Sequence, residues 1–215
     1  MINCAGLYAD RIAKDFGLAQ DYMMLPFKGV YLVGKNANNP TEQMKTHIYK
    51  VPALSTPFLG VHFTLAINQD GSQNKIKIGP TAIPAFWREN YKHLTNIKFN
   101  EIKEIMALHS KMFVLNKVGY RNLVFQELKK YSKQFLINEA SKLVHNIDNY
   151  HFKHWGVSGI RAQIVNTKSY DLIQDFIIEQ GDNSIHMLNA ISPGLTCSMA
   201  LAEHIISKVV EVSLE

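Results

Sequence analysis

The chain has 215 residues and a mass of 24.4 kDa, with 47% hydrophobic and 19% charged residues. That composition excludes disordered, collagen-like and low-complexity architectures and fits one large domain or two small ones with a sizeable core. Two cysteines, Cys4 and Cys197, cannot build a disulfide framework, and nine histidines without an HExxH or a tight His/Cys cluster leave no pattern for a dedicated zinc site. The net charge of +5 invites a nucleic-acid reading, but residues 101–142 supply +4 of it, with eight Lys/Arg against four Glu and no nucleic-acid motif. A solvated helical face is the simplest account of that segment, and a peripheral membrane contact is the sharper alternative. No apolar run reaches the roughly 18 to 20 residues of a membrane span. The first residues lack the charged start and apolar middle of a signal peptide. A cytoplasmic setting is therefore expected, with peripheral contact on the cytoplasmic membrane face as the variant of it.

Ile2 to Gly6 reads as the end of a buried strand entering a tight turn, and Tyr8 to Phe16 as a short helix with Ile12 and Phe16 on one face. With nothing ahead of it, the opening strand suggests a missing sheet partner. From Met24 to Arg88 the pattern becomes strands and turns. Leu25–Val33, His47–Val51, Phe58–Ile67, Ile76–Ile78 and Ile83–Trp87 are rich in β-branched and aromatic residues, and Asp70-Gly71 is a hairpin signal. Residues 98–145 turn helical, with Ile102, Ile105, Met106, His109, Met112 and Phe113 on one face and Val124, Leu128, Tyr131 and Phe135 on the next. On such a face His109 reads as a core histidine. Strands resume at Gly159–Val165, Leu172–Glu179 and Ser184–Leu188, and a final helix is predicted from Thr196 to Val212. The fold class is α+β. It divides into residues 1–23, a sheet-and-helix region 24–155, and returning strands with a last loop and helix in 156–215.

Three loops could carry chemistry. Cys4-Ala5-Gly6 offers small residues at a strand end, which let a cofactor approach the backbone or serve only packing. Arg161 emerges from the apolar run around Gly159 and needs a partner, either a structural carboxylate or the carboxylate of a substrate. Ser192-Pro193-Gly194-Leu195-Thr196 leads into the last helix, where free N–H groups favour an anionic ligand. The alternative there is an ordinary helix start capped by Thr196 or Ser198.

These loops sit in a longer set of motifs. Ile2-Asn3-Cys4-Ala5-Gly6-Leu7-Tyr8-Ala9-Asp10, Pro26-Phe27-Lys28-Gly29-Val30-Tyr31-Leu32, Ile48-Tyr49-Lys50-Val51-Pro52, Pro57-Phe58-Leu59-Gly60-Val61-His62-Phe63-Thr64, Gly79-Pro80-Thr81-Ala82, Gly159-Ile160-Arg161-Ala162-Gln163 and Ser192-Pro193-Gly194-Leu195-Thr196 follow in order. In these segments the chain resembles the L-2-hydroxyglutarate oxidase/dehydrogenase family, within the FAD-dependent D-amino-acid-oxidase-like superfamily. The resemblance implies that Cys4, Ala5 and Gly6 border FAD. It implies that Ser192, Pro193, Gly194, Leu195 and Thr196 lie against the flavin ring, where the helix start would stabilise the reduced cofactor. It also implies that Arg161, with Tyr49, binds the substrate. Oxidation of a 2-hydroxy acid needs a group to take the hydroxyl proton, which favours histidine; His62 is the first candidate and His186 the second.

The same family binds its pyrophosphate on a GxGxxG turn, and none of the twelve glycines here has that spacing. The chain therefore reads as the C-terminal half of such a flavoenzyme, with an incomplete FAD-binding α/β part. Three readings follow: one piece of a split enzyme completed by a separate N-terminal FAD-binding chain, a non-catalytic remnant, or a small-carboxylate-binding module without flavin.

Overall fold

The computed structural model describes residues 1–36, 44–51, 58, 60–67, 73–92, 94–145, 147 and 150–212. They form two compact units, one of Met1–Pro26 with Ala162–Glu215, the other of Phe27–Arg161. Helices and mainly antiparallel strands give the α+β architecture.

In the first unit, β1 (Ile2–Asn3) pairs in parallel with β10 (Ser184–Asn189), and β10 pairs antiparallel with β9 (Ile177–Gly181). A 3-10 turn at Gly6–Tyr8 leads into α1 (Ala9–Asp15), whose Ala9 and Ala13 are fully buried. Asp10 on the same helix is buried too, and its Oδ2 accepts the Met24 N–H at 2.9 Å. Ala13, Ala19, Met24, Ile164 and Leu188 make the core. The chain enters and leaves this unit through β2 (Tyr22–Gly29) and β8 (Gly159–Asn166) and ends in α5 (Ser198–Val212). Predicted strand Leu172–Glu179 shortens to β9, because Leu172 makes only an isolated bridge to Val165.

In the second unit, β3 (Leu32–Asn36), β4 (His62–Ile67), β5 (Gln73–Gly79) and β7 (Tyr150–Trp155) form an antiparallel sheet in the order β4-β5-β3-β7. The short β6 (Ile83–Pro84) pairs with β2 at Phe27 and Lys28. The predicted single strand Leu25–Val33 is thus two strands in two sheets, broken at Val30-Tyr31. Gly79 and Thr81 make that break possible. A Cβ on Gly79 would stand 2.9 Å from the Val30 carbonyl, and Thr81 Oγ1 accepts from the Val30 N–H while donating to the Lys28 carbonyl. His47–Val51 is likewise reduced to one bridge, Ile48 to Phe63. Residues 150–155, unassigned by pattern, are a full strand beside β3. The Asp70-Gly71 turn lies outside the described residues, although β4 and β5 pair on either side of it.

The helical stretch is three helices, α2 (Phe99–Leu115), α3 (Tyr120–Lys129) and α4 (Lys133–Ser141). Asn116 ends α2 in the left-handed region at φ 46°, where asparagine is tolerated, and Ser132 starts α4 by accepting the Phe135 N–H. The buried face of α2 is Glu101, Ile105, Leu108, His109 and Met112, rotated from the predicted one so that Met106 and Phe113 sit at its exposed edge. The second predicted face dissolves because a helix break separates Leu128 from Phe135, and Leu136 and Ala140 enter the core instead. The lysines and Arg121 of this region are exposed, with Lys130 the half-buried exception paired to Glu127.

Candidate functional site

The two candidate regions lie in different units, and each is built from its own elements. In the first unit, β1 and β10 run parallel with Asn3 opposite His186, and β10 continues three residues further to Asn189, so the loops after them leave in the same direction. Carboxyl ends of adjacent parallel strands are where α/β folds hold ligands. The loop after β1 is fixed by Asn3, which is buried. Its Oδ1 accepts the Ala5 N–H at 3.1 Å, and its Nδ2 donates to the Ala9 carbonyl and to His186 Nδ1, both at 2.9 Å. Cys4, Ala5 and Gly6 are thereby held open to solvent, with Gly6 at φ +54° and nothing close to where a Cβ would stand.

The loop after β10 is equally constrained. The Gly194 N–H donates to the Ile191 carbonyl at 2.6 Å, and a Cβ on Gly194 would stand 2.7 Å from that same oxygen. Only glycine fits this turn. Thr196 Oγ1 donates to the Pro193 carbonyl at 3.0 Å and Ser198 is already helical, so Thr196 does not cap α5 through its hydroxyl. Ser192, Pro193 and Thr196 are exposed, and Leu195 presents an almost fully solvent-accessible side chain. An open, preformed pair of loops with an apolar face suits a flat ring system. Neither loop has the spacing of a phosphate cradle.

His186 belongs to this unit's core. It is wholly buried, its Nδ1 accepts from Asn3, and its Nε2 lies 2.9 Å from Ser184 Oγ, so the neutral ring donates there. With both nitrogens engaged, it ties β1 to β10 and has no free lone pair to offer a substrate.

In the second unit, His62 opens β4. It is 4% exposed, and its Nδ1–H donates to the Gly60 carbonyl at 3.0 Å. That bond puts the lone pair on Nε2, which has no hydrogen-bond partner among the described residues. Burial pushes the imidazole pKa down. The Gly60 carbonyl opposes this, and the charges of His47 and Lys130 add to the lowering, so the ring is neutral at neutral pH. Tyr49 stacks on it at 4.4 Å with 29° between the planes, and Tyr31 meets it edge-on at 6.0 Å. Tyr49 is thus brought to His62 and braces its ring.

Arg161 is half-buried on β8, with its guanidinium carbon 5.0 Å from the centre of the buried Phe58 ring. Among the described residues it pairs with no carboxylate and makes no hydrogen bond, so the structural-partner alternative finds no support. Burial lowers its pKa, but a guanidinium stays charged. Phe58 also lines a cavity of about 400 Å3 with Lys50, Gly60, Val61, Glu127 and Lys130. Glu127 is committed to the scaffold, accepting the Ala82 N–H at 2.6 Å and Lys130 Nζ at 2.5 Å.

Sequence reasoning missed Asn3, Tyr31 and Phe58 as supporting residues. A polar side chain closing a strand before a small-residue loop is an Asx-turn signal that could have found Asn3. Nothing local marked the other two, whose partners lie far along the chain. Among the described residues no group of three or more potential metal ligands exists, and no helix is long and apolar enough to cross a membrane.

A family model described as DAO, FAD dependent oxidoreductase, matches residues 1–207. L-2-hydroxyglutarate dehydrogenase of Indibacter alkaliphilus is 32% identical over 94% of this chain and 48% of its own length. The mitochondrial L-2-hydroxyglutarate dehydrogenase of Mus musculus is 34% identical over 95% of this chain and 43% of its own. For the Escherichia coli L-2-hydroxyglutarate dehydrogenase the identity is 33%, over 97% and 47%. The chain spans about half the length of the curated relatives it matches.

Proposed function

We propose a catalytic role on one premise: the chain belongs to the DAO family of FAD-dependent oxidoreductases. In this reading it supplies the substrate-binding and flavin-facing parts of an enzyme that oxidises a 2-hydroxy acid, of the L-2-hydroxyglutarate type named in its relatives, to the 2-oxo acid. The observation that carries the reading is Arg161, a half-buried guanidinium resting on Phe58 with no carboxylate beside it among the described residues. Such a group is stabilised by a bidentate carboxylate ligand.

Cys4, Ala5, Gly6 and Ser192 to Thr196 are the residues that would hold FAD, and their open, turn-locked loops fit its ring. When bound, FAD supplies the acceptor for the hydride that leaves C2 of the substrate. Arg161 orients the substrate carboxylate. His62 takes the hydroxyl proton on Nε2, whose lone pair is left free by the Nδ1–H bond to Gly60. Tyr49 and Tyr31 hold the ring against rotation. The pyrophosphate requires a GxGxxG turn that this sequence does not contain. A polypeptide carrying that turn is accordingly part of the proposal, and the chain alone is expected to be inactive.

An FAD titration of the chain, alone and mixed with a GxGxxG-bearing polypeptide encoded beside it, tests this reading. Binding and L-2-hydroxyglutarate oxidation in the mixture alone are expected. Tight binding by the chain alone would overturn the incomplete site, and failure in the mixture would overturn the enzymatic reading. The second reading, a carboxylate-binding module without flavin, is favoured by one fact: Arg161 and His62 lie in the same unit. It requires dicarboxylate binding that is indifferent to FAD. Peripheral membrane contact joins the proposal through the exposed Val114 and Phe125, which stand among the exposed Lys111, Lys117, Arg121 and Lys129.

A further inference from the structure

The cavity of about 400 Å3 beside Phe58 has walls of mixed chemistry. Val61, Leu123 and Leu143 supply apolar sides. Among the described residues Lys50, Lys130 and Lys142 supply three cations, against the two carboxylates of Glu127 and Glu139. Both carboxylates are used within the fold: Glu127 accepts the Ala82 N–H and Lys130 Nζ, and Glu139 accepts Lys142 Nζ. Only 12% of the Lys130 side chain is exposed, and Glu127 takes one of its three N–H donors. The other two have no acceptor among the described residues. Lys50 has no ion pair or hydrogen bond among them either. Its stem lies against Gly60, where a Cβ would stand 3.7 Å from Lys50 Cδ.

A largely buried ammonium with unmet donors, in one cavity with a second ammonium that has no counter-ion, favours an anion. The cavity also shares residues with the proposed site. Phe58 lines it and carries Arg161 on its ring, and Gly60 lines it and accepts from His62 Nδ1. Lys130 is close enough for its charge to act on His62. We propose that Lys50 and Lys130 hold the second carboxylate of a dicarboxylic 2-hydroxy acid and so select it over acids with an uncharged far end. This rests on the proposed reading, in which Arg161 takes the carboxylate next to the reacting carbon. An amide in the far position would gain no charge-assisted bond, and an apolar end would leave the Lys130 donors unmet. A cationic end is disfavoured by the excess of ammonium groups on the walls.

The test is equilibrium binding of two probes to the full chain without flavin: glutarate, and its monoamide glutaramate, which has the same length and one charge less. Glutarate is expected to bind roughly tenfold more tightly, the effect of one hydrogen bond to a charged group. Lys50→Met and Lys130→Gln, the second keeping an N–H for Glu127, should each bring that ratio toward one. Lys111→Met removes an exposed charge that does not line the cavity and should leave the ratio as it is. Equal affinity of the probes for the wild-type chain, no saturable glutarate binding, or a ratio lost as readily in Lys111→Met would overturn the proposal, even if Lys130→Gln fails to fold. Arg161→Ala should weaken both probes alike. If it weakens neither while Lys50→Met still removes the preference, the cavity keeps its carboxylate and the reading of Arg161 fails. If it weakens both while Lys50→Met leaves the ratio intact, Arg161 keeps its role and the cavity loses its own.

Discussion

Three buried or half-buried side chains, Arg161, His62 and His109, are each defined by what they lack. Among the described residues Arg161 has no carboxylate partner and His62 Nε2 no hydrogen-bond partner, which is what the proposed substrate roles require. In the assembled enzyme, Arg161→Ala should raise KM by the equivalent of about 1.5–3 kcal/mol, the worth of a hydrogen bond to a charged group. His62→Asn should instead lower kcat by roughly 100-fold or more, as removal of a general base does. Steady-state kinetics separates the two, and an unchanged KM for Arg161→Ala would remove it from the pocket. His109 lacks room for a charge. Its pKa falls from 6.5 unfolded to about 4 folded, so below pH 6.5 the unfolded chain takes up a proton that the folded chain refuses. Stability is therefore full above pH 6.5 and declines as the pH falls toward 4, by about 3 kcal/mol in total. Urea unfolding at pH 7 and 4.5 should show most of that loss in the wild type and not in His109→Phe. The sequence pointed to His62, Arg161 and His109 by residue type and setting. It gave no sign that His186 has both nitrogens occupied, because Asn3 lies 183 positions away.

At the scale of elements, the β3–β7 pairing rests on a glycine. Gly34 faces Phe152 in register, and a Cβ on Gly34 would stand 2.5 Å from the ring. Gly34→Ala should cost about 1–3 kcal/mol by forcing the strands apart or the ring off its rotamer. Combined with Phe152→Leu, the loss should be less than additive. Thermal unfolding of the two single variants and the double variant checks this, and full additivity would show that the ring moves freely. Elements with strong periodicity were legible: α1, β4, β5, β10 and α5 fall within a few residues of their predicted spans. The errors have two causes, one distant and one local. Val30-Tyr31 and residues 130–132 carry no proline or glycine, yet the chain breaks there. Thr81 captures the backbone at the first, and Ser132 caps a new helix at the second. A turn imposed by a residue fifty positions away has no local signature, whereas the Ser132 cap is a local helix-start signal that the periodicity of Val124, Leu128, Tyr131 and Phe135 overrode.

At the scale of the molecule, charge and apolar exposure coincide on the helical segment. If that surface docks on lipid, sedimentation with phosphatidylserine vesicles should exceed that with phosphatidylcholine and fall as salt rises, because each Lys or Arg near an anionic surface contributes about 1 kcal/mol. Binding indifferent to both variables would sink the membrane contact. The ordered motifs of the sequence were enough to place the chain in its family and to identify FAD as that family's cofactor, because glycine turns and strand-end residues answer to local backbone geometry. The α+β class followed from periodicity for the same reason. Among the described residues, which histidine keeps an unbonded nitrogen, which carboxylates are already used and which arginine has no carboxylate beside it were decided only by tertiary structure. Glu127 binds Ala82, His186 binds Asn3 and Arg161 rests on Phe58. Those pairings join residues 45 to 183 positions apart, or 103 in the last case, and the availability of a polar group depends on them rather than on its own neighbours.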